Sequence, residues 1–212
     1  MESRHFVLHD PICPIPAEKD PLRLESDITA LCSKATALGA GEVAAAGSQD
    51  LVFSDEIVRK VKADANYPSI HWPIDYPADD LKKAILAFRK GIFFYIDAPS
   101  DMPDYGGGPI PDRNHLNIHL KLHEIVAHIE SAAFYMGHYL AMGFAAGNCR
   151  SIFCAEEGRC KAAIRTNGCT APYKGRPSLA AAGIDVIKTS QKLRLQLPGV
   201  DSSFLAGIVM VA

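Results

Sequence analysis

The chain has 212 residues, of which 48% are hydrophobic and 22% are charged, so it can bury the core of one large domain. Its 22 basic and 24 acidic residues give a net charge of −2, which excludes a globally basic protein that binds nucleic acid by charge. The sequence has no apolar run of the ~18 residues that a membrane span needs, and its first residues lack a signal-peptide pattern. We therefore expect a cytoplasmic protein with no nucleic-acid or membrane partner.

In the first third of the chain, segments with a periodic apolar pattern are separated by glycine and proline residues. After a proline-interrupted lead-in, helical spacing predicts a helix over residues 24–46. Residues 51–53 predict a short buried strand, and residues 54–62 predict a short helix. The proline-rich stretch 66–77 predicts a loop that carries His71 and the only tryptophan of the chain.

The centre of the chain carries the clearest secondary-structure signals. A helix is predicted over residues 78–90. The aromatic run Ile92–Ile96 predicts the strongest strand, and it looks exposed enough to leave room for a homodimer. Residues 97–113 are rich in proline and glycine and predict a surface loop. Residues 114–146 predict one long helix because seven apolar side chains fall on one stripe: Ile118, Leu122, Ile125, Ile129, Ala132, Met136 and Leu140.

The last third of the chain combines a cysteine-rich segment, residues 147–177, with two regular elements. Ser178 is predicted to open a further helix, and the apolar stretch Phe204–Val211 predicts a closing strand. Together the elements predict one α+β domain over residues 1–212, with a small sheet, one long helix and a cysteine-rich metal-binding loop.

Four of the six cysteines lie within 21 residues, a clustering that in a reducing compartment indicates metal binding rather than disulfides. They follow a C-x4-C-x5-C-x8-C pattern, in which only the first gap fits the paired C-x2-4-C of most zinc sites and the later gaps are longer and uneven. A 4Fe–4S cluster is larger than a zinc ion and tolerates uneven spacing, and the basic side chains nearby suit an anionic cluster. For Cys149, Cys154, Cys160 and Cys169 the pattern favours iron–sulfur, and it leaves open both zinc and four cysteines that share no site.

Three histidines, His115, His119 and His123, recur at every fourth position of the predicted long helix, beside its apolar stripe. Histidines at this spacing can chelate zinc, nickel, copper or iron, so they are candidates for a second metal site. A polar helix flank near solvent explains the same spacing, and so does a pH-sensitive face. The sequence leaves the three interpretations open.

Three further side chains are candidates for catalysis. His71 could donate a proton from the proline-rich loop, while Arg150 and Arg176 could contact a cluster or a bound anion beside the cysteines. Arg176-Pro177-Ser178 also has a structural explanation, because Ser178 can cap a helix. The sequence contains no hydrolase nucleophile motif, no zinc-protease motif and no dinucleotide-binding fingerprint.

The residues around the cysteines resemble a known family. Four features of this region are together similar to the domain-of-unknown-function 2284 family of predicted metal-binding proteins. They are the stretch from Glu130 to Arg150, the four cysteines, Arg176-Pro-Ser178 and the Gly183-Ile-Asp-Val186 segment. The specific similarity covers residues 130–186. The resemblance implies an iron–sulfur or related metal site on the four matched cysteines, and it implies no settled reaction.

The chain departs from the family pattern upstream of this segment. The pattern has a second cysteine group there, whereas this chain has Asn66-Tyr-Pro68 and Ile70-His-Trp-Pro73, which keep the prolines without the thiols. The resemblance therefore implies a single cluster beside an aromatic and histidine-bearing loop.

We therefore expect a 4Fe–4S protein of cytoplasmic, anaerobic metabolism that transfers electrons to a redox partner protein or a bound small-molecule substrate. One alternative is a metalloenzyme in which the cluster or a second metal activates a small substrate. Another is a zinc-stabilised interaction module without redox chemistry. The sequence leaves open whether the protein is an enzyme.

Overall fold

The computed structural model describes residues 20–63, 78–102, 110–157, 169–198 and 203–212. Within these ranges the helices and strands have the following bounds: α1 Pro21–Ala37, β1 Glu42–Gly47, α2 Asp55–Ala63, α3 Ala78–Leu86, β2 Lys90–Ala98, α4 Arg113–Tyr135, β3 Met142–Ala145, α5 Cys149–Phe153, α6 Val186–Lys192 and β4 Ser203–Met210. Helices pack on a small antiparallel sheet, so the predicted α+β class is confirmed. None of the described helices has the length and apolar character needed to cross a membrane.

The four strands form one antiparallel sheet in the order β1-β2-β4-β3. Helices α1 and α4 cover one face of the sheet, where Phe94 is buried, and α3 with the segment before α6 covers the other face, where Phe93 is buried. Because both faces are covered, the strand at Ile92–Ile96 is a continuous apolar run rather than an alternating one. The strand predicted there is confirmed, as is the predicted C-terminal strand. However, β2 is an internal strand and its residues Ile92–Ile96 are buried, so the exposure expected for this strand is wrong, while the homodimer itself stays a prediction.

Helix α4 approaches the sheet closely because two strand residues are glycines. A Cβ atom added to Gly143 of β3 would lie 2.4 Å from Val126 Cγ1, and one added to Gly207 of β4 would lie 3.1 Å from Val126 Cγ2. At its start, α4 is capped by Asp112, whose carboxylate accepts the backbone N–H groups of Asn114 and His115 at 2.7 and 3.0 Å. The capped helix is therefore held against the sheet by close contact between the Val126 side chain and the backbone of these two glycines.

The predicted long helix over residues 114–146 is wrong in its second half. Helix α4 ends at Tyr135, Gly137 adopts a φ of +89°, and Met142–Ala145 pair with β4 instead. A short apolar run does not distinguish a helix from a strand, and the pairing with β4 decides between them. As a result Leu140, expected in the core stripe, lies outside the helix and is 63% exposed.

The predicted helix over residues 24–46 divides into α1 and β1, because Gly39 adopts a φ of +96° between them. The alanines of β1 pair with β2. Residues 51–53 do not form the predicted strand: Phe53 makes only an isolated bridge to Ile184. The residues after Ser178 form turns, and the helix begins at Val186 of α6 instead.

Candidate metal centre

Two of the predicted ligands, Cys149 and Cys154, lie at the two ends of the short helix α5. Asn148 precedes this helix and caps it, since its side-chain oxygen accepts the backbone N–H of Arg150 at 2.9 Å. At the other end, the backbone N–H of Cys154 donates to the carbonyl of Arg150 at 2.8 Å. The local sequence therefore fixes the backbone that carries both thiols.

The third described ligand, Cys169, begins a turn that lies against both ends of α5. Its Sγ accepts the backbone N–H of Ala171 at 3.3 Å. Its neighbour Thr170 places its hydroxyl oxygen 3.1 Å from Cys154 Sγ. Farther along the same turn, a Cβ atom on Gly175 would lie 3.6 Å from Cys149 Cβ. The turn at residues 169–175 thus borders all three cysteines.

The three cysteines suit a thiolate-ligated group in their chemistry, because each is half-buried and, in the described ranges, none takes part in a disulfide. Across the described ranges, however, no three His, Cys, Asp or Glu side chains are arranged as a group that could hold a metal ion. The fourth predicted ligand, Cys160, lies outside the described residues. So does the candidate proton donor His71.

The three histidines of α4 are buried, so the interpretation as a polar flank near solvent is wrong. His115 at the start of the helix faces two carboxylates: its Nδ1 lies 2.8 Å from Asp112 and its Nε2 lies 3.4 Å from Asp101. The hydrogen bond to Asp112 is the main reason why the pKa of His115 is raised.

The next two histidines, His119 and His123, lie under the cysteine segment. A Cβ atom on Gly147 would lie 2.7 Å from His119 Nδ1, and this glycine has a φ of +98°. One turn of α4 later, His123 Nδ1 lies 3.3 Å from the carbonyl oxygen of Lys174, and its ring meets Phe153 edge-on at 5.1 Å. Through these contacts α4 supports both α5 and the turn that follows Cys169.

Burial disfavours the charged form of both of these histidines. Burial lowers the pKa of His119, and burial lowers the pKa of His123 to about 3. The carbonyl of Lys174 accepts a hydrogen bond, so the single ring proton of His123 resides on Nδ1 and Nε2 keeps its lone pair. Neither His123 Nε2 nor His119 Nδ1, both of them buried, has a hydrogen-bond partner within the described residues.

The two candidate arginines contact protein groups. The Arg176 guanidinium is paired with the Glu130 carboxylate of α4, and its Nη1 donates to the carbonyl oxygens of Tyr173 and Gly175 at 3.1 and 3.0 Å. Glu130 in turn accepts the backbone N–H of Gly143 at 2.7 Å. Arg150 Nη2 donates to the carbonyl of Glu157 at 3.3 Å. Arg176 therefore ties the turn after Cys169 to α4 and β3.

The role of Glu130 as the anchor of Arg176 was missed from the sequence, although this residue belongs to the stretch that resembles the known family. The partner of Glu130 lies 46 positions away in sequence, so local spacing could not indicate it. Burial is the largest influence on the pKa of Glu130 and raises it, while the positive charge of Arg176 acts to lower it.

A pocket of about 440 Å³ opens where α4 faces α5 and the turn after Cys169. His123 and Phe153 belong to its wall, as does Lys174. The pocket thus adjoins the end of α5 that leads to Cys154. Nothing in the sequence spacing indicated it, because its wall comes from three separate segments.

Comparison with known proteins gives one match. A family model described as a predicted metal-binding protein (DUF2284) matches residues 49–211, which is more than half of the chain. Among curated proteins and among solved structures, no match is found.

Proposed function

Since the chain belongs to the DUF2284 family of predicted metal-binding proteins, we propose that it binds a 4Fe–4S cluster through the four thiolates of its cysteine segment. The ligands in this proposal are Cys149, Cys154, Cys160 and Cys169. Bound in this way, the cluster would supply a one-electron redox centre. The protein would act in the reducing cytoplasm, in anaerobic metabolism, and transfer electrons to a redox partner protein or a bound substrate.

The observation that carries the proposal is the position of the turn at residues 169–175. This turn contacts Cys154 through the Thr170 hydroxyl, and it passes beside Cys149 at Gly175, where an added Cβ would lie 3.6 Å from Cys149 Cβ. Cysteines separated in sequence by 15 to 20 positions therefore face one short stretch of backbone. A cluster larger than a single ion can be ligated by thiols spread around such a turn.

The surrounding groups favour an anionic cofactor at this place. The backbone N–H of Ala171 donates to Cys169 Sγ, which stabilises the thiolate form of this side chain. Arg150 and Lys174 belong to the same two segments and bring positive charge. Such charge and such N–H donors raise the reduction potential of a thiolate-bound cluster.

The Cys→Ala variants at the four positions provide the test. Protein purified without oxygen should be brown, should bleach with dithionite, and should contain iron and sulfide. Each of the four substitutions should lower iron content, whereas Cys32→Ala in α1 should leave it unchanged, because Cys32 packs against the core away from this segment. A colourless protein loaded with zinc would overturn the proposal and favour the zinc-stabilised module.

A second candidate function is a metalloenzyme that acts on a small molecule. The pocket of about 440 Å³ beside α5 favours it, since pockets of this size hold organic ligands. An enzyme of this kind needs an open coordination position. One of the four cysteine substitutions should then leave the iron content unchanged.

A further inference from the structure

An exposed apolar patch lies where α4 ends and the chain turns towards β3. Its four large side chains are at least half exposed: Phe134 at 51%, Tyr135 at 85%, Tyr139 at 56% and Leu140 at 63%. The Phe134 ring meets its two aromatic neighbours edge-on, with centroid distances of 5.9 Å to Tyr135 and 5.2 Å to Tyr139. These four residues, here called the aromatic patch, therefore form one connected surface instead of scattered apolar side chains.

Buried contacts hold the backbone of the aromatic patch in place. After α4 ends, the backbone N–H of His138 donates to the carbonyl of Ala133 at 2.9 Å. The side chain of His138 is buried, and its Nε2 lies 3.0 Å from a carboxylate oxygen of Asp27 in α1. A surface fixed in this way loses little conformational freedom when a partner binds, so less of the binding energy is spent on ordering it.

The aromatic patch is large for the surface of a single chain. Aromatic side chains bury about 150–250 Å² each, so the exposed fractions of the three rings together present about 400 Å². The largest apolar patch of a typical monomer is about 300–600 Å² and often marks an interaction site. Leu140 adds to this area. The patch is therefore of the size expected for a protein–protein contact.

The composition of the patch favours a second copy of this chain as the partner. Residues 131–142 contain no Asp, Glu, Lys or Arg, so the patch offers no charge that would select a partner of opposite sign. The guanidinium of Arg23 lies at its edge, where Nη2 donates to the carbonyl of Met136 at 3.5 Å. Homodimer interfaces are more apolar than those between proteins that also exist apart, and they have a polar rim.

The edge strand β3, which follows the patch, is not the surface on which a second copy would extend the sheet. The backbone N–H of Gly143 already donates to the Glu130 carboxylate at 2.7 Å. The backbone N–H of Ala145 donates to the carbonyl of Pro177 at 3.1 Å. Because these two donors of β3 are occupied, a second chain would have to pack on side chains instead of pairing with this strand.

We propose that the aromatic patch is the contact surface of a two-fold symmetric homodimer, in which the patch of one copy packs on the patch of the other. Two such patches with their rims bury about 1,000 Å² in total, which is the lower limit for a specific interface and fits a reversible dimer. The homodimer expected from the sequence would thus form through the turn before β3 and not through β2. The proposal goes beyond the proposed function and does not depend on a cluster.

Sedimentation equilibrium of the full chain provides the test. The molar mass should rise from that of one chain towards that of two over about 1–100 μM, which corresponds to a micromolar Kd. Tyr135→Lys should weaken the dimer at least about tenfold, because it removes a central aromatic contact and brings two like charges together across the two-fold axis. Leu86→Lys is the matched control, since Leu86 is an exposed apolar residue at the end of α3, on the opposite face of the sheet, and it should leave the affinity unchanged.

The exposed position of Tyr135 keeps this test independent of folding, and circular dichroism of Tyr135→Lys should match the wild type. Dimerisation should also persist from about 0.1 M to about 1 M NaCl, because a contact without charges is not screened by salt. A chain that stays monomeric at every concentration would overturn the proposal and leave the patch to a different protein. A dimer that Tyr135→Lys does not weaken, or one that dissociates at high salt, would also overturn it.

Discussion

Two of the buried histidines of α4, His119 and His123, lie under a segment that is outside the helix. Periodicity identified the face of α4 on which His115, His119 and His123 lie, and that part of the prediction is confirmed. It could not show that α5 and the turn after Cys169 fold over this face. A contact between residues as distant in sequence as His123 and Lys174 leaves no trace in local spacing.

The pair formed by Glu130 and Arg176 should matter for stability more than any exposed ion pair. Both side chains are largely buried, at 18% and 15% exposure. Arg176→Met leaves the Glu130 carboxylate buried without its partner, which should lower the free energy of unfolding by about 3 kcal/mol in urea denaturation at neutral pH. Glu56→Gln, which removes an exposed pair with Lys60, is the control and should have little effect.

The same variant should show a distinct dependence on pH. Burial already raises the pKa of Glu130, and loss of Arg176 removes a group that opposes this rise. A carboxyl group whose folded pKa lies above its unfolded pKa destabilises the protein as pH rises between the two values. The difference in stability between Arg176→Met and the wild type should therefore shrink on acidification; a difference that grows would contradict this account.

At the scale of elements, the two long strands were predictable and the Ala-rich strand and the shortest strand were not. The runs in β2 and β4 contain bulky residues and were identified as strands. The Ala-rich β1 was assigned to a helix because alanine favours helices when packing is unknown, and the four-residue β3 was assigned to one because a short apolar run fits either element. Their pairing with β2 and β4 overrides that preference.

The glycines of the sheet should be intolerant of even one added methyl group. Gly143→Ala would place Cβ 2.4 Å from Val126 Cγ1 and 2.8 Å from Glu130 Cδ, so α4 would have to move away from β3. We expect a loss of about 2 kcal/mol in the free energy of unfolding, measured by urea denaturation. Gly175→Ala meets only ordinary contacts of 3.4 and 3.6 Å and should be nearly neutral. Equal stability of the two variants would show that α4 is not held at this distance.

At the scale of the whole molecule, the core is separate from the cysteine segment. The two main apolar clusters lie on the two faces of the sheet and contain none of the three described cysteines of the segment. The composition already indicated enough apolar residues for such a core. The sequence could not indicate that the cysteine segment lies beside this core instead of contributing to it.

The protein should therefore remain folded without its metal. Replacing all four cysteines of the segment by alanine should lower the midpoint of thermal unfolding by less than about 5 °C, since the three described cysteines lie outside both apolar clusters of the sheet. Circular dichroism of the metal-free variant provides the measurement. Loss of the cooperative transition would instead indicate a fold that depends on its metal.

The strand order β1-β2-β4-β3 also has a consequence for how the chain assembles. Among the described strands, β3 pairs only with β4, and β4 comes last in sequence. During synthesis, β3 and the cysteine segment that follows it therefore emerge before β4, the strand with which β3 pairs. Gly147 and α5 follow directly after β3, so they gain their final position only after a long-range pairing step. If the segment takes up the proposed cluster, its insertion would then be a late event, on a chain whose β3 and β4 are already paired.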